Sequence, residues 1–251
     1  MLEISIIAGN TMTEAAQTVR SFIDLRAFAA ATDLLAAAGD GAWTANRHDL
    51  SLADGPVTVS VLRLSGSGQE AALAADEFAI VLDGELQFAT SDASLDVATG
   101  RSVVIPAGVA FSWTARAATT VIVMRCASGP AGAAAVVPID ESAELVASGA
   151  PLAELLVGPT PSCRNFTDYR SGNGEFVCGT WDSTPYHRRA MRYGHFELMH
   201  LLQGAVTFVD GAGREATFAQ GDVFLVEQAA ECSWESRVHV KKVYAIYRPA
   251  A

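Results

Sequence analysis

Charge is scarce and one-sided in this sequence of 251 residues. Seventeen Lys and Arg stand against 28 Asp and Glu, charged residues make up 18% of the chain, and nowhere do the cations form a run. A net charge of -11 repels phosphate backbones and anionic lipid, so nucleic acid and membranes are excluded as expected partners. Cysteine is scarce too. Cys126, Cys163, Cys178 and Cys232 form no CxxC and no close zinc-type spacing, which fits reduced thiols in a cytoplasm. Long apolar runs are missing: the opening MLEISIIAGN has no basic flank, and the Ala-rich stretch 25–38 is interrupted by Arg26, Thr32 and Asp33. The expectation is a soluble, untargeted, cytoplasmic protein. No GxSxG, phosphate-binding glycine loop or dinucleotide fingerprint occurs, which removes the commonest hydrolase and nucleotide-binding signatures.

What the sequence does have is apolar content, 50% of the residues, enough for one large core or two of ordinary size. From Pro56 onward it runs in short β-rich stretches closed by Gly or Asp-Gly, such as VTVSVLRLSG, EFAIVLDGELQF and RSVVIPAG. After a break the same texture returns in GEFVCGTW, HFELMHLLQGAVTFVDGAG and HVKKVYAIYR. Both halves are therefore expected to be all-β. Weaker Ala, Leu and Glu signals predict an N-terminal helix within Thr13–Ala38 and a linker helix within Asp140–Val157. The aperiodic stretch ASGPAGAAAVVP, 127–138, marks the division. The expected layout is an arm over 1–45, a first barrel over 46–127, a linker over 128–160 and a second barrel over 161–251.

An internal repeat ties the halves together. Glu77 is followed by Gly84, Gly100 and Trp113; Glu197 is followed by Gly204, Gly221 and Trp234, at an offset of 120 that becomes 121 after one insertion. Trp is only 4 of 251 residues, so a second Trp in register has chance odds of roughly one in sixty. Both tryptophans also follow a serine, Ser112 and Ser233. One fold has been duplicated.

The stretches EFAIVLDG and ELMHLLQG resemble the end of the first cupin motif, and GRSVVIPAG, residues 100–108, resembles the second. PAGVAFSW, GTWDSTP and KKVYAIY are more narrowly similar to the branch with ethanolamine-utilisation and ureidoglycine aminohydrolase-like proteins, the DUF861 cupins. The resemblance implies a bicupin: two tandem jelly-roll barrels of antiparallel strands, with the motif glutamates Glu77 and Glu197 facing the interiors. It also implies a metal site built from an HxH pair, that glutamate and a third histidine, suited to manganese, iron, nickel or zinc.

The expected ligand positions are largely lost. Ahead of Glu77 lie Glu70, Ala71, Ala72 and Leu73, and Phe111 takes the third-histidine place. Only the glutamate remains there, so the first barrel is expected to hold no metal, with Arg63 as the nearest plausible partner for Glu77. Ahead of Glu197 the slots fall on Ala190 and Arg192, or Met191 and Tyr193, and Cys232 stands third; the usual Pro and Gly have become Glu227 and Ala229. Strand alternation nevertheless puts His195 beside Glu197 and turns His200 away. A His195, Glu197, Cys232 metal set is one expectation; a metal-free carboxylate-histidine pair is the favoured one. Arg189, Arg192, Tyr193 and Trp234 are the expected substrate contacts, because Arg188, Arg189 and Arg192 crowd together in a chain poor in cations. His48, His187 and His239 have no partner at ligand spacing.

Two functions follow. One is a bicupin binding a small polar or anionic metabolite in its second barrel without the usual metal, with a homodimer as the expected assembly. The alternative is a metal-dependent enzyme on a small carboxylated or nitrogenous metabolite, with Glu197 as acid or base and His195 as its partner.

Overall fold

Residues 19–91 and 93–250 are described by the computed structural model. Its strands follow the period-two pattern of the sequence. Along Phe196–Gln203, the side chains of Glu197, Met199 and Leu201 turn into one core while Phe196 and Leu198 turn into another. Both faces of this strand are buried, which is why it lacks a polar side.

The first barrel is organised by two long strands, Val57–Glu70 and Phe111–Cys126, paired antiparallel along their lengths with a bulge between Leu64 and Gly66. Phe111–Cys126 pairs with Glu85–Ala89 through its first half and with Asp76–Asp83 through its second, so it crosses from one layer of the barrel to the other. The bulge supplies the bend. In the second barrel each long strand is cut in two: Phe176–Ser183 and Tyr186–Arg192, Glu231–Ser236 and Val240–Tyr247. Pro185, which cannot donate to a ladder, lies at the first cut. The result is a sheet of seven strands and a sheet of four, against one of eight in the first barrel.

Three buried clusters make up the core. One fills the first barrel around Trp43, Leu86, Phe88 and Trp113; one fills the second around Met199, Phe208, Phe224 and Trp234. The third lies between the barrels, where Val59, Phe78 and Ile122 meet Phe176, Leu198 and Val243. His200 belongs to this face as expected, 6% exposed.

The segments leading into the barrels are not loose arms. Ile23–Asp24 pairs with Val223–Val226 of the second barrel, and Val137–Pro138 pairs with Ser102–Ile105 of the first. Each barrel thus receives a strand from the segment that precedes the other. The aperiodic stretch 127–138 therefore ends in a paired strand. The helix expected within Thr13–Ala38 is confined to Leu25–Ala31, where the Asp24 side chain caps by accepting from Ala27 N at 2.9 Å; positions 13–18 of that expectation lie outside the described residues. The linker helix expected within Asp140–Val157 does not form. Gly149 and Pro151 interrupt that segment, which holds the strand Val146–Ser148 and a single tight turn at Ala153–Leu155.

Candidate functional site

The second barrel encloses a cavity of about 600 Å³, within the range of small-molecule sites. Its floor is the inward face of the strand carrying Glu197, and the segment 149–155 borders its mouth with Leu152 and Leu155.

At the floor the structure joins His195 and Glu197 to a residue the sequence did not single out. Lys242 Nζ donates to Glu197 Oε1 at 2.7 Å and to Met199 Sδ at 3.2 Å, and stands 4.8 Å and 5.0 Å from the ring centres of Trp181 and Trp234. Two indole faces around an ammonium ion form a cation–π box. His195 Nε2 donates to Glu197 Oε2 at 3.2 Å, and Arg248 Nη2 reaches His195 Nδ1 at 3.4 Å. That pairing fits a neutral imidazole with its proton on Nε2. Burial raises the Glu197 carboxyl, but the Lys242 charge, with the hydrogen bond from His195, outweighs it and holds the group far below the usual carboxylate range. A carboxylate held that low carries no proton near neutrality, so the expected role of Glu197 as a general acid has no support, and as a base it is weak.

Arg188 forms the side wall. It is 5% exposed; its Nη2 donates to Tyr193 Oη at 3.0 Å and to the Cys232 carbonyl at 3.3 Å, while its Nε has no partner. The expected substrate contacts divide. Tyr193 and Trp234 line the cavity, whereas Arg189 and Arg192 are exposed outside it, Arg189 donating to the Glu154 carbonyl at 3.2 Å. The reason is a bulge: Arg188 lies opposite Trp234 and Met191 opposite Cys232, three residues against two. Alternation is shifted by one, so Tyr186, Arg188, Met191 and Tyr193 face inward.

Cys232 does not join His195 and Glu197. It is fully buried, its Sγ lies 4.0 Å from the Ser21 carbonyl, and burial pushes its thiol up to about 11, so it is not a thiolate. Among the described residues no three His, Cys, Asp or Glu side chains converge as metal ligands. A catalytic metal of the manganese, iron, nickel or zinc type takes about three protein ligands; His195 and Glu197 supply two, and an ammonium ion lies against the second carboxylate oxygen. The residues present do not fit the group.

In the first barrel Glu77 is met by Arg47 and not by Arg63. Arg47 Nη1 and Nη2 donate to its two oxygens at 2.9 and 2.8 Å, and Trp43 Nε1 adds a bond at 2.8 Å. Arg63 instead donates to the carbonyls of Leu34 and Ala29. Trp43 enters from the short helix Ala42–Ala45, whose first turn is held by Glu70 accepting from Trp43 N at 2.7 Å. Gly68 makes room: a Cβ there would stand 2.1 Å from the Gly39 carbonyl oxygen.

Two of the residues that depart from the motif also find roles. Glu227, where the first copy has Pro106, pairs with Arg20 at 2.9 Å. Ala229, where the first copy has Gly108, takes a left-handed φ of 71° against 83°, a conformation that favours glycine. Its N–H donates to the Tyr193 carbonyl at 2.7 Å, which fixes the rim of the cavity.

Comparison with known proteins agrees with this architecture. Residues 170–244 match the EutQ-like cupin domain. The second half thus carries a cupin domain by sequence, and the solved structures similar to the chain include cupins. A bicupin layout aligns with a Pseudomonas syringae pv. tomato protein of unknown function from the DUF861 family, at 26% identity and a TM-score of 0.75, over 79% of this chain and 85% of that one. Fold likeness alone extends to a variant of oxalate decarboxylase from Bacillus subtilis (11% identity, TM-score 0.52, 94% and 78% of the chains). It extends also to a variant of salicylate 1,2-dioxygenase from Pseudoaminobacter salicylatoxidans (11%, 0.52, 80% and 76%). No curated protein matches the chain. Among the described residues, no helix is long and apolar enough to cross a membrane.

Proposed function

We propose that this bicupin binds a small anionic metabolite, a carboxylate by chemical class, in the cavity of its second barrel and without a metal. The observation that carries the reading is Arg188, a guanidinium almost wholly buried against the cavity with Nε unpartnered. A buried charge without a counterion is costly, and a ligand carboxylate entering the cavity would supply one through a charge-assisted hydrogen bond. The lining supports the same sign of ligand: Arg188, Lys242 and Arg248 stand against Glu197 alone, in a chain whose net charge is -11. Trp181, Tyr186, Trp234 and Met191 offer apolar faces for the rest of the molecule.

The alternative, a metal-dependent enzyme on a carboxylated metabolite, has named decarboxylase and dioxygenase cupins among its fold neighbours. Likeness of fold does not carry activity, and the donor set does not favour it.

Short mono- and dicarboxylates, including acetate, glyoxylate, oxalate, malonate and benzoate, are the test panel, screened by melting temperature and confirmed by calorimetry. At least one is expected to stabilise wild type, Arg188→Lys to weaken it about tenfold or more, and Arg188→Ala to abolish it with the fold intact. Binding by Arg188→Ala equal to wild type, or no stabilisation by any carboxylate, would sink the reading.

A further inference from the structure

Glu77 and Glu197 occupy the same place in the two copies, and each is buried, 2% and 7% exposed. An isolated buried carboxylate is prohibitively costly, so each must be compensated. Both are compensated by a cation belonging to the chain, and the two cations come from unrelated elements. Arg47 opens the first strand of the first barrel, Arg47–Asp49, and grips Glu77 with two parallel bonds. Lys242 sits on the last strand of the second barrel, opposite Leu201; in the first copy that position, opposite Val81, is Val121. The same problem has been solved twice, by different residues in different positions.

The second solution retains part of a metal site's donor set. His195 and Glu197 are of the kinds that ligate such metals, and here Nε2 and Oε2 are joined by a hydrogen bond of 3.2 Å. What fills the position beside Glu197 is the ammonium of Lys242, held between Glu197, Met199 and two indoles.

We infer that both barrels have exchanged the metal cation of a cupin centre for a cation tethered to the chain, Arg47 on Glu77 and Lys242 on Glu197, the first sealed in and the second forming the floor of the open cavity. A tethered cation cannot be lost to a chelator or exchanged for another ion. It also leaves the charge of Arg188 free for ligand. The inference goes beyond the carboxylate-binding reading and stands whether or not the cavity takes an anion.

The test uses full-length protein without an affinity tag, dialysed against zinc or manganese and measured for bound metal by mass spectrometry. Wild type is expected to retain none, with a melting temperature unmoved by EDTA. Lys242→His, which adds a third donor to His195 and Glu197, is expected to retain about one zinc per chain, lost again when Glu197→Ala is added. Lys242→Met should lower the melting temperature by roughly 10 °C, because it strands Glu197, and Lys242→Met with Glu197→Gln should recover most of that loss. Stoichiometric metal in wild type that Glu197→Ala removes would overturn the inference. So would a folded Lys242→His that holds no zinc, or a Lys242→Met as stable as wild type.

Discussion

In the first barrel the motif glutamate lies beneath an indole, with Trp43 fully buried against Phe88 and Phe111 at ring separations of 5.5 Å. In the second the matching glutamate faces a cavity, and the segment at its mouth, 149–155, stays at the rim with Leu152 63% exposed. The glutamate sits on a matching strand in both copies, Asp76–Asp83 and Phe196–Gln203. What differs is how far the entering segment reaches. A plug that descends turns the barrel into a packed core; one that stops at the rim leaves a cavity. Duplication allowed one copy to take the structural role while the other kept its interior open.

The most disruptive way to break this contrast is to unplug the first barrel. Trp43→Ala removes a buried side chain and one of the donors to Glu77, and should cost about 3–5 kcal/mol in urea unfolding. Indole added to the variant should restore part of the loss by refilling the void; no loss of stability would show that Trp43 is not what fills the barrel.

A second prediction separates the face between barrels from the cavity by pH. Burial, then the positive charges of Arg26 and Arg101, lower His200 to about 4. The folded protein therefore disfavours its charged form, and stability falls as pH drops from the ordinary histidine value near 6.5 through 4, by roughly 3 kcal/mol. Glu197 acts in a different window. Its depressed carboxyl stabilises above its unfolded value near 4.5, and that contribution is lost only on further acidification. His200→Leu should flatten the urea midpoint between pH 6.5 and 4 and leave the steeper loss below it; an unchanged slope would remove His200 from the account.

The smallest effect exchanges one backbone position between the copies. Ala229→Gly should stabilise the second barrel by about 1 kcal/mol, and Gly108→Ala should destabilise the first by about 1 kcal/mol, since nothing lies within 4 Å of the added Cβ and only the left-handed φ opposes it. Equal and opposite changes in denaturant midpoint would show that the two rims share one geometry.

Much of this organisation was legible in the sequence because it rests on local rules. Glu77 and Gly84, then Glu197 and Gly204, set strand and turn in each copy, and period-two alternation alone placed His195 with Glu197 and turned His200 toward the other barrel. The residues that were missed depend on distant or irregular features. Trp43 and Arg47 reach Glu77 across 34 and 30 positions of chain, with no periodic signal to connect them. Arg188 was passed over for Arg189 and Arg192 because the bulge reverses their parity, and no residue in YHRRAMR announces it. Lys242 did leave a trace. Val243, Ala245 and Tyr247 cover one face of its strand, and Val240 lies with Lys242 on the other; a lysine on a strand apolar on both sides is already a candidate for burial.

The crossed arms bear on how the margins of the sheets are covered. Val223–Val226 and Ser102–Ile105 would each end their ladder with unpaired N–H and C=O groups if Ile23–Asp24 and Val137–Pro138 were not laid along them. Open strand edges recruit other chains. Each half of the protein thus chaperones the other's edge, and either half expressed alone would present a sticky margin that the intact chain never shows.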